Sequence, residues 1–322
     1  DYASNAEPVM QATIDSLDYF SKTLGPYPYG TVTAVVPPYG ADEAGGMEYP
    51  TFFTATGHRE VAKNSIDEFG LDFVTIHEFG HGYFYGILAS NEFEEPMLDE
   101  GLNQYWDGRM LVERKQDVHA TSPLLSAIGF HPVFKPQDVD RAGAPRDEPA
   151  DAIGQNAYSR LQGMGPIYVR TSTTMRDLEL AIGKDNMERA FKEYYKRWKF
   201  RHPSVADLRE TLAEVSGQRA AVEKVFEQQV YATMRVDDRI DKFTSIEEEP
   251  QPGTSQVGGK WVELTQEQVE KSIKDAREKW EKAHPDAKPG TGPYPYRTSV
   301  VVRRRGASVP QTLVVKFADG SS

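Results

Sequence analysis

Cysteine is absent from the 322 residues of this chain. Its absence excludes a disulfide framework, a thiolate metal site and a cysteine nucleophile. Basic residues are also few: 37 lysines and arginines stand against 49 aspartates and glutamates, for a formal net charge of −12 at pH 7. No basic stretch interleaved with aromatic residues offsets this balance, so the composition predicts no nucleic-acid partner.

Long apolar runs are absent as well. No run approaches the roughly 18 apolar residues that a transmembrane helix needs, so we predict no transmembrane segment. The first residues, Asp1–Ala3, have neither the basic nor the apolar region of a signal peptide. Because the chain starts without methionine and stops abruptly, we expect it to be part of a longer protein. The length favours about two domains.

The N-terminal region is predicted to be a helix followed by short strands. Apolar spacing predicts a helix from Pro8 to Leu24, and β-branched residues predict a strand over 31–36. A second β-type run, Thr51–Thr54, follows Pro50, and a leading proline is typical of an edge strand. Such an edge can accept an extended peptide.

Helical periodicity dominates after residue 65. It predicts a helix from Ile66 to Leu88 and a second from Asp99 to Glu113, with Asp99 as the N-cap. Four further helices are predicted over 165–183, 186–198, 204–215 and 220–231. The acidic, proline-rich segment Glu247–Gly253 indicates a domain boundary. After it we expect a charged helix over 265–283 and β-rich segments over 298–302 and 312–317.

The chemically informative segment is His77–His81, which reads HEFGH. Histidines four residues apart on a helix project from the same face, close enough to share one zinc ion. Glu100, with eighteen residues between it and His81, supplies a third ligand and leaves a fourth position open. Glu78 follows the first histidine and turns toward that open position, as a general base does. We therefore predict one Zn²⁺ per chain.

Three segments together resemble a known family. The spacing of HExxH and Glu100 resembles the gluzincin peptidases. The segment Gly45–Tyr49 (GGMEY) resembles the GxMEN exopeptidase motif of the aminopeptidase N family, which gluzincin endopeptidases of the thermolysin kind lack. The segment 98–105 (LDEGLNQY) is similar to the LNEGFAxY of that family. The similarity covers about residues 15 to 232.

The resemblance implies an α+β fold, a thermolysin-like zinc peptidase catalytic domain with a small β lobe and a larger helical lobe. The start of a β-sandwich domain would follow it. The N-terminal β domain that precedes the catalytic domain in this family is expected in the parent protein. The implied divisions are 1–65 for the β lobe with the GGMEY strand, 66–243 for the helical lobe with the zinc site, 244–289 for a linker with a charged helix, and 290–322 for the truncated C-terminal β domain.

The resemblance also implies residue roles. His77, His81 and Glu100 would bind zinc, and Glu78 would be the general base. The substrate would be bound by the GGMEY residues Gly45, Gly46, Met47 and Glu48. Glu48 would hold the free α-ammonium of the substrate through a charge-assisted hydrogen bond.

A tyrosine hydroxyl stabilises the oxyanion in this family. Tyr168, near the start of a predicted helix, matches its position, and Tyr158 is the alternative. Arg170 and Thr171 replace the lysine and glycine of the Tyr-x-Lys-Gly pattern, and Tyr49 replaces the asparagine of GxMEN.

Two finer expectations concern the surroundings of the site. Metal-bound histidines usually donate their other ring nitrogen to a carboxylate or carbonyl, and we expect Asn103 and Gln104 in this neighbourhood. Ala44 and Met47 are candidates to line a pocket for the first side chain of the substrate.

The implied activity is hydrolysis of the N-terminal residue from peptides with a free N-terminus. Three alternatives stay open: a thermolysin-like zinc endopeptidase, a hydrolase of another electrophile such as an epoxide, and an inactive fragment or binding module with an intact zinc site. The resemblance favours a periplasmic or extracellular location.

Overall fold

The computed structural model describes residues 3–119, 127–136, 138, 142, 150–287 and 292–316. They form two compact units: the chain up to Val236 together with the part from Gly306 onward, and Asp237–Arg305. The first unit combines small sheets with packed helices, the α+β architecture that the sequence predicts. No helix among the described residues is long and apolar enough to cross a membrane.

The helices of the first unit lie close to the predicted positions. In chain order they are α1 (Ala3–Thr23), α2 (Ile66–Phe84), α3 (Glu100–Glu113), α4 (Gly165–Ile182), α5 (Lys184–Trp198), α6 (Val205–Ser216) and α7 (Arg219–Val225), which continues as a π-helical turn (Phe226–Val230). The strands of this unit are β1 (Thr33–Val35), β2 (Met47–Tyr49), β3 (Phe52–Thr54), β4 (Val118–His119) and β5 (Val133–Phe134).

Helix α1 begins earlier than the sequence predicts, before Pro8 rather than at it. A tertiary contact holds the added turn. The buried side-chain amide of Asn5 donates to the backbone carbonyl of His58 at 2.7 Å and accepts from the backbone N–H of His58 at 2.9 Å. Buried polar groups paired in this way outweigh the local tendency of proline to start a helix.

The sheet next to α2 has the order β1-β3-β2. Strand β3 runs parallel to β1 and antiparallel to β2. The prediction that Thr51–Thr54 forms an edge strand is therefore wrong, because β3 is central and β2, which carries Glu48, lies at the edge. Pro50 lies in the turn between β2 and β3, where its missing N–H removes no hydrogen bond from the ladder.

Helices α2 and α3 approach closely at Gly80. A Cβ atom on Gly80 would lie 2.0 Å from the Oδ1 atom of Asn103. Asn103 is fully buried, and its side-chain amide donates to the backbone carbonyl of His77 at 2.7 Å. On its other side α3 meets α4 at Gly101, where a Cβ atom would lie 2.4 Å from Thr171. The two glycines therefore allow α3 to pack between α2 and α4.

The second unit contains β6 (Asp238–Glu247), β7 (Gly253–Val257), β8 (Lys260–Leu264), α8 (Gln266–Ala283) and β9 (Tyr296–Arg304). Strand β6 pairs antiparallel with β9, and β7 pairs with β8 in a hairpin. The unit begins at Asp237 and not in the proposed boundary segment Glu247–Gly253. Strand β6 runs through Glu247 to pair with a strand much later in the chain, and local composition does not reveal such a pairing.

The chain after Arg305 returns to the first unit, where Ala307 and Val309 are buried. The described residues 312–316 of the β-rich segment predicted over 312–317 form no strand. Phe317 lies outside the described residues, as do 288–291 and 318–322. The other predicted β-rich segment, 298–302, lies within β9, which pairs with β6.

We expect Gly80→Ala to lower the free energy of unfolding by about 1–3 kcal/mol, because the added methyl group overlaps the buried side chain of Asn103. Gly70→Ala is the matched control: Gly70 lies on the same helix, and outside the local helix backbone no heavy atom lies within 4 Å of where its Cβ atom would be. This control is expected to stabilise the protein by up to about 1 kcal/mol through helix propensity. Urea unfolding measures both variants, and equal stabilisation by the two would contradict the close packing at Gly80.

Candidate metal centre

Helix α2 places His77 and His81 side by side. The hydroxyl of Ser65 caps the helix by accepting the N–H of Glu68 at 3.1 Å. One helical turn separates the two histidines, and their Nε2 atoms lie 3.1 Å apart. Both side chains are buried. The spacing that the sequence predicts is therefore present on one face of a single helix.

Glu100, the first residue of α3, completes the group. Its Oε2 atom lies 3.1 Å from Nε2 of His77 and 3.2 Å from Nε2 of His81. Ligand atoms of a tetrahedral zinc with bonds of about 2.0–2.1 Å lie about 3.3 Å apart, close to these separations. Two imidazole nitrogens and one carboxylate oxygen are a donor set that zinc accepts. The three residues thus fit one zinc ion.

A buried aspartate faces the other ring nitrogen of each histidine. Nδ1 of His77 lies 2.7 Å from Oδ2 of Asp107, and Nδ1 of His81 lies 2.5 Å from Oδ1 of Asp99. An imidazole that donates its Nδ1–H to a carboxylate keeps the lone pair on Nε2, the atom that faces the centre. The aspartates therefore orient both rings for metal binding.

These two aspartates were not predicted from the sequence. We expected Asn103 and Gln104 near the ring nitrogens, but aspartates face both Nδ1 atoms. Asn103 does lie beside His77, where it donates to the backbone carbonyl and not to the ring. Asp99 occupies the N-cap position of α3, as predicted, but its side chain makes no capping hydrogen bond and turns to His81. A signal for Asp107 was present: it lies seven residues after Glu100, two turns along the same face of α3.

The three candidate ligands shift the pKa values of one another. Burial lowers the pKa of His77, but the carboxylates of Asp107 and Glu100 raise it to about 9. Burial likewise lowers the pKa of His81, and hydrogen bonds to Asp99 and Glu100 more than offset this effect. Burial raises the pKa of Glu100, whereas the two imidazoles bring it far below its usual range. The cluster therefore favours positive charge between the imidazoles and Glu100, where a zinc ion would place it.

Glu78 lies beside the candidate ligands. A carboxylate oxygen of Glu78, a carboxylate oxygen of Glu48 and a ring nitrogen of His81 all lie within 4.8 Å of one another. The Oε2 atom of Glu78 is buried and has no hydrogen-bond partner among the described residues. Burial raises the pKa of Glu78 to about 7. A carboxylate with a free oxygen and a pKa near neutrality can both accept and return a proton.

The GGMEY segment runs along the same site. Gly46 has a φ of 65°, which favours glycine, and a Cβ atom there would lie 3.5 Å from Oε1 of Glu78. Glu48 lies on the edge strand β2. Its carboxylate faces the site, because one of its oxygens lies within 4.8 Å of ligand atoms of Glu78 and His81. Neighbouring residues of a strand point to opposite faces, and Met47 is 44% exposed. Only Glu48 of this strand brings its side chain to the centre, and the roles of Gly45, Gly46 and Met47 stay predictions.

The two candidate tyrosines lie in different surroundings. The hydroxyl of Tyr168, in the first turn of α4, donates to Oε1 of Glu100 at 2.5 Å. Burial and the carboxylate of Glu100 raise the pKa of Tyr168, so the hydroxyl keeps its proton. Tyr158 is 79% exposed and stacks on Phe93. The structure therefore places Tyr168, and not Tyr158, at the candidate metal centre.

The profile of the peptidase family M1 domain matches residues 9–229. No curated protein matches the chain.

Three solved structures are similar to this chain. A mutant M1 zinc metallopeptidase from Deinococcus radiodurans is 15% identical, with 67% of this chain and 43% of that chain covered and a TM-score of 0.49. Legionella pneumophila aminopeptidase A, solved with aspartic acid, is 15% identical over 76% of this chain and 28% of that chain, with a TM-score of 0.54. Native yeast LTA4 hydrolase is 17% identical over 68% of this chain and 34% of that chain, with a TM-score of 0.50. The chain thus spans less than half the length of these proteins.

Proposed function

The chain belongs to peptidase family M1, and from this membership we propose that it is a zinc-dependent aminopeptidase that removes the N-terminal residue from peptides. The observation that carries the proposal is the convergence of Glu48 with Glu78 and His81. A carboxylate that can bind an ammonium group thereby lies within reach of a general base and a metal ligand. This arrangement suits cleavage one residue from a free N-terminus.

The proposed zinc ligands are His77, His81 and Glu100. The bound metal would supply Lewis acidity, which lowers the pKa of water and polarises the scissile carbonyl. Glu78 accepts the proton of the attacking water on its free oxygen. It then delivers this proton to the nitrogen of the departing amine as the C–N bond breaks. The environment of Glu78, buried and with a pKa of about 7, supports both transfers.

Tyr168 is proposed to stabilise the oxyanion. Its hydroxyl retains its proton, which it donates to Glu100 in this structure, and the same proton would be donated to the oxyanion when the hydroxyl turns from Glu100 to the substrate. A preorganised donor aimed at developing negative charge typically contributes about 10²–10³ in rate.

Glu48 is proposed to select the substrate. A free α-ammonium carries a positive charge one residue before the scissile carbonyl, and Glu48 can bind it by a charge-assisted hydrogen bond. Strand β2 lies at the edge of its sheet, so the side of the GGMEY segment that faces away from β3 can pair with an extended peptide. The N–H of Gly46 takes no part in this, because it donates to the carbonyl of Thr54 at 2.9 Å. A carboxylate that binds the free α-ammonium argues against an endopeptidase, because an endopeptidase does not bind the N-terminus of its substrate.

The direct test uses two peptides of identical sequence, one with a free N-terminus and one N-acetylated, with the zinc-loaded protein. We expect single residues to be removed only from the free peptide, as followed by mass spectrometry. Glu78→Gln, with its zinc content checked, is the control and should remove none. Internal cleavage of both peptides would indicate an endopeptidase, and no cleavage by a chain that holds one zinc would contradict the proposal for this chain.

A second prediction separates the two tyrosines. We expect Tyr168→Phe to lower kcat by about 10²–10³-fold with little change in KM, because the lost donor acts on the transition state. Tyr158→Phe, the matched control, should stay within about twofold of the parent since this side chain is exposed. Steady-state kinetics on a single peptide measures both variants. A larger loss in Tyr158→Phe would reassign the role.

A further inference from the structure

A second group of carboxylates lies beside the candidate metal centre. Glu48, Glu92 and Asp99 each offer an oxygen, and these atoms lie within 4.8 Å of one another. Glu92 lies outside the HEFGH, GGMEY and LDEGLNQY segments. In the part of the chain that the structure describes, no lysine or arginine forms an ion pair with any of these three carboxylates. Asp99 is paired with His81, at 2.5 Å, but Glu48 and Glu92 have no cationic partner among the described residues, so the closeness of these two carboxylates favours a positively charged ligand.

A free buried oxygen points to the same conclusion. Asp99 is 1% exposed, and its Oδ1 atom faces Nδ1 of His81. Its Oδ2 atom is buried and has no hydrogen-bond partner among the residues described. An unpaired buried acceptor of this kind is costly unless a ligand supplies a donor. Glu92 lies within hydrogen-bond reach of Asp99, so a donor placed between these carboxylates, such as an N–H of a bound ammonium group, would meet both.

The turn that carries Glu92 is held in place. The Oδ1 atom of Asn91 accepts the backbone N–H groups of Phe93 and Glu94 at 3.2 and 3.3 Å. The carbonyl of Phe93 in turn accepts the N–H of Ala157 at 2.7 Å. Hydrogen bonds thus fix the backbone on the C-terminal side of Glu92. A fixed backbone restricts the positions that the Glu92 carboxylate can take, so less conformational entropy is lost when a ligand binds.

Resting on the aminopeptidase function proposed above, we propose that Glu92 binds the α-ammonium group of the substrate together with Glu48. An ammonium group has three N–H donors. Glu48 belongs both to this carboxylate group and to the group with Glu78 and His81, so a cation held here lies next to the reacting atoms. Every peptide with a free N-terminus carries an α-ammonium group one residue before the scissile bond, whereas only some substrates carry a basic side chain there. The α-ammonium is therefore the cation that we assign to this site.

The test compares the parent protein with Glu92→Gln, using alanyl-, leucyl- and arginyl-p-nitroanilide. The matched control is Glu94→Gln, because Glu94 is exposed, lies two residues away and bonds the side chain of Asn156, which glutamine can also do. We expect Glu92→Gln to lower kcat/KM by about 10- to 100-fold for all three substrates, mainly through KM. Glu94→Gln should change it less than about twofold.

Two ligands provide a readout that does not depend on turnover. Leucine hydroxamate carries the α-amino group, and 4-methylpentanohydroxamate lacks only that group. By calorimetry on the zinc-loaded protein, Glu92→Gln should bind leucine hydroxamate about 10- to 100-fold more weakly than the parent and 4-methylpentanohydroxamate equally well.

Three results would overturn the inference. A loss confined to the arginyl substrate would place a side-chain site at Glu92, equal weakening of both hydroxamates would indicate a structural defect, and no weakening of either would remove Glu92 from the site. If the parent protein cleaves none of the three substrates, the proposed function fails by itself. The difference between the two hydroxamates then still decides the role of Glu92.

Discussion

The hydrogen bonds between the two aspartates and the two histidines are the interaction on which the rest of the site depends. Each imidazole is held through Nδ1 by Asp107 or Asp99, and this leaves both Nε2 atoms pointing at Glu100. Both aspartates and Glu100 come from α3 or the residue before it. The ligand set can therefore form only if α3 lies directly against α2.

That requirement explains the packing around the centre. Gly80 on α2 leaves room for Asn103, which ties α3 to the backbone of His77. Gly101 does the same on the side of α4, and this contact brings Tyr168 to Glu100. The electrostatics follow from the same arrangement. Buried carboxylates crowd around the histidines, and the positive charge they favour would come from a metal ion and from the ammonium group of a substrate.

The sequence predicted the parts of this site that follow from local periodicity. His77 and His81 share a face because they are four residues apart on one helix, and Glu100 follows at the start of the next. Contacts between separate elements were harder to predict. The partner of each histidine depends on the rotation of α3 against α2, so Asp99 and Asp107 were missed. Glu92 lies in a connection between helices, where no periodicity applies. The order of the strands and the pairing of β6 with β9 are likewise set by distant parts of the chain.

The most direct test of this account is the affinity for zinc of Asp107→Asn, measured by competition with a chromophoric chelator. Asparagine keeps the shape of the buried side chain but removes the charge that orients and polarises His77. We expect one zinc per chain in the parent and about 10- to 100-fold weaker binding in Asp107→Asn. Glu113→Gln, at the exposed end of the same helix, should bind as the parent does. Unchanged affinity in Asp107→Asn, or a parent protein that binds no zinc, would contradict the account.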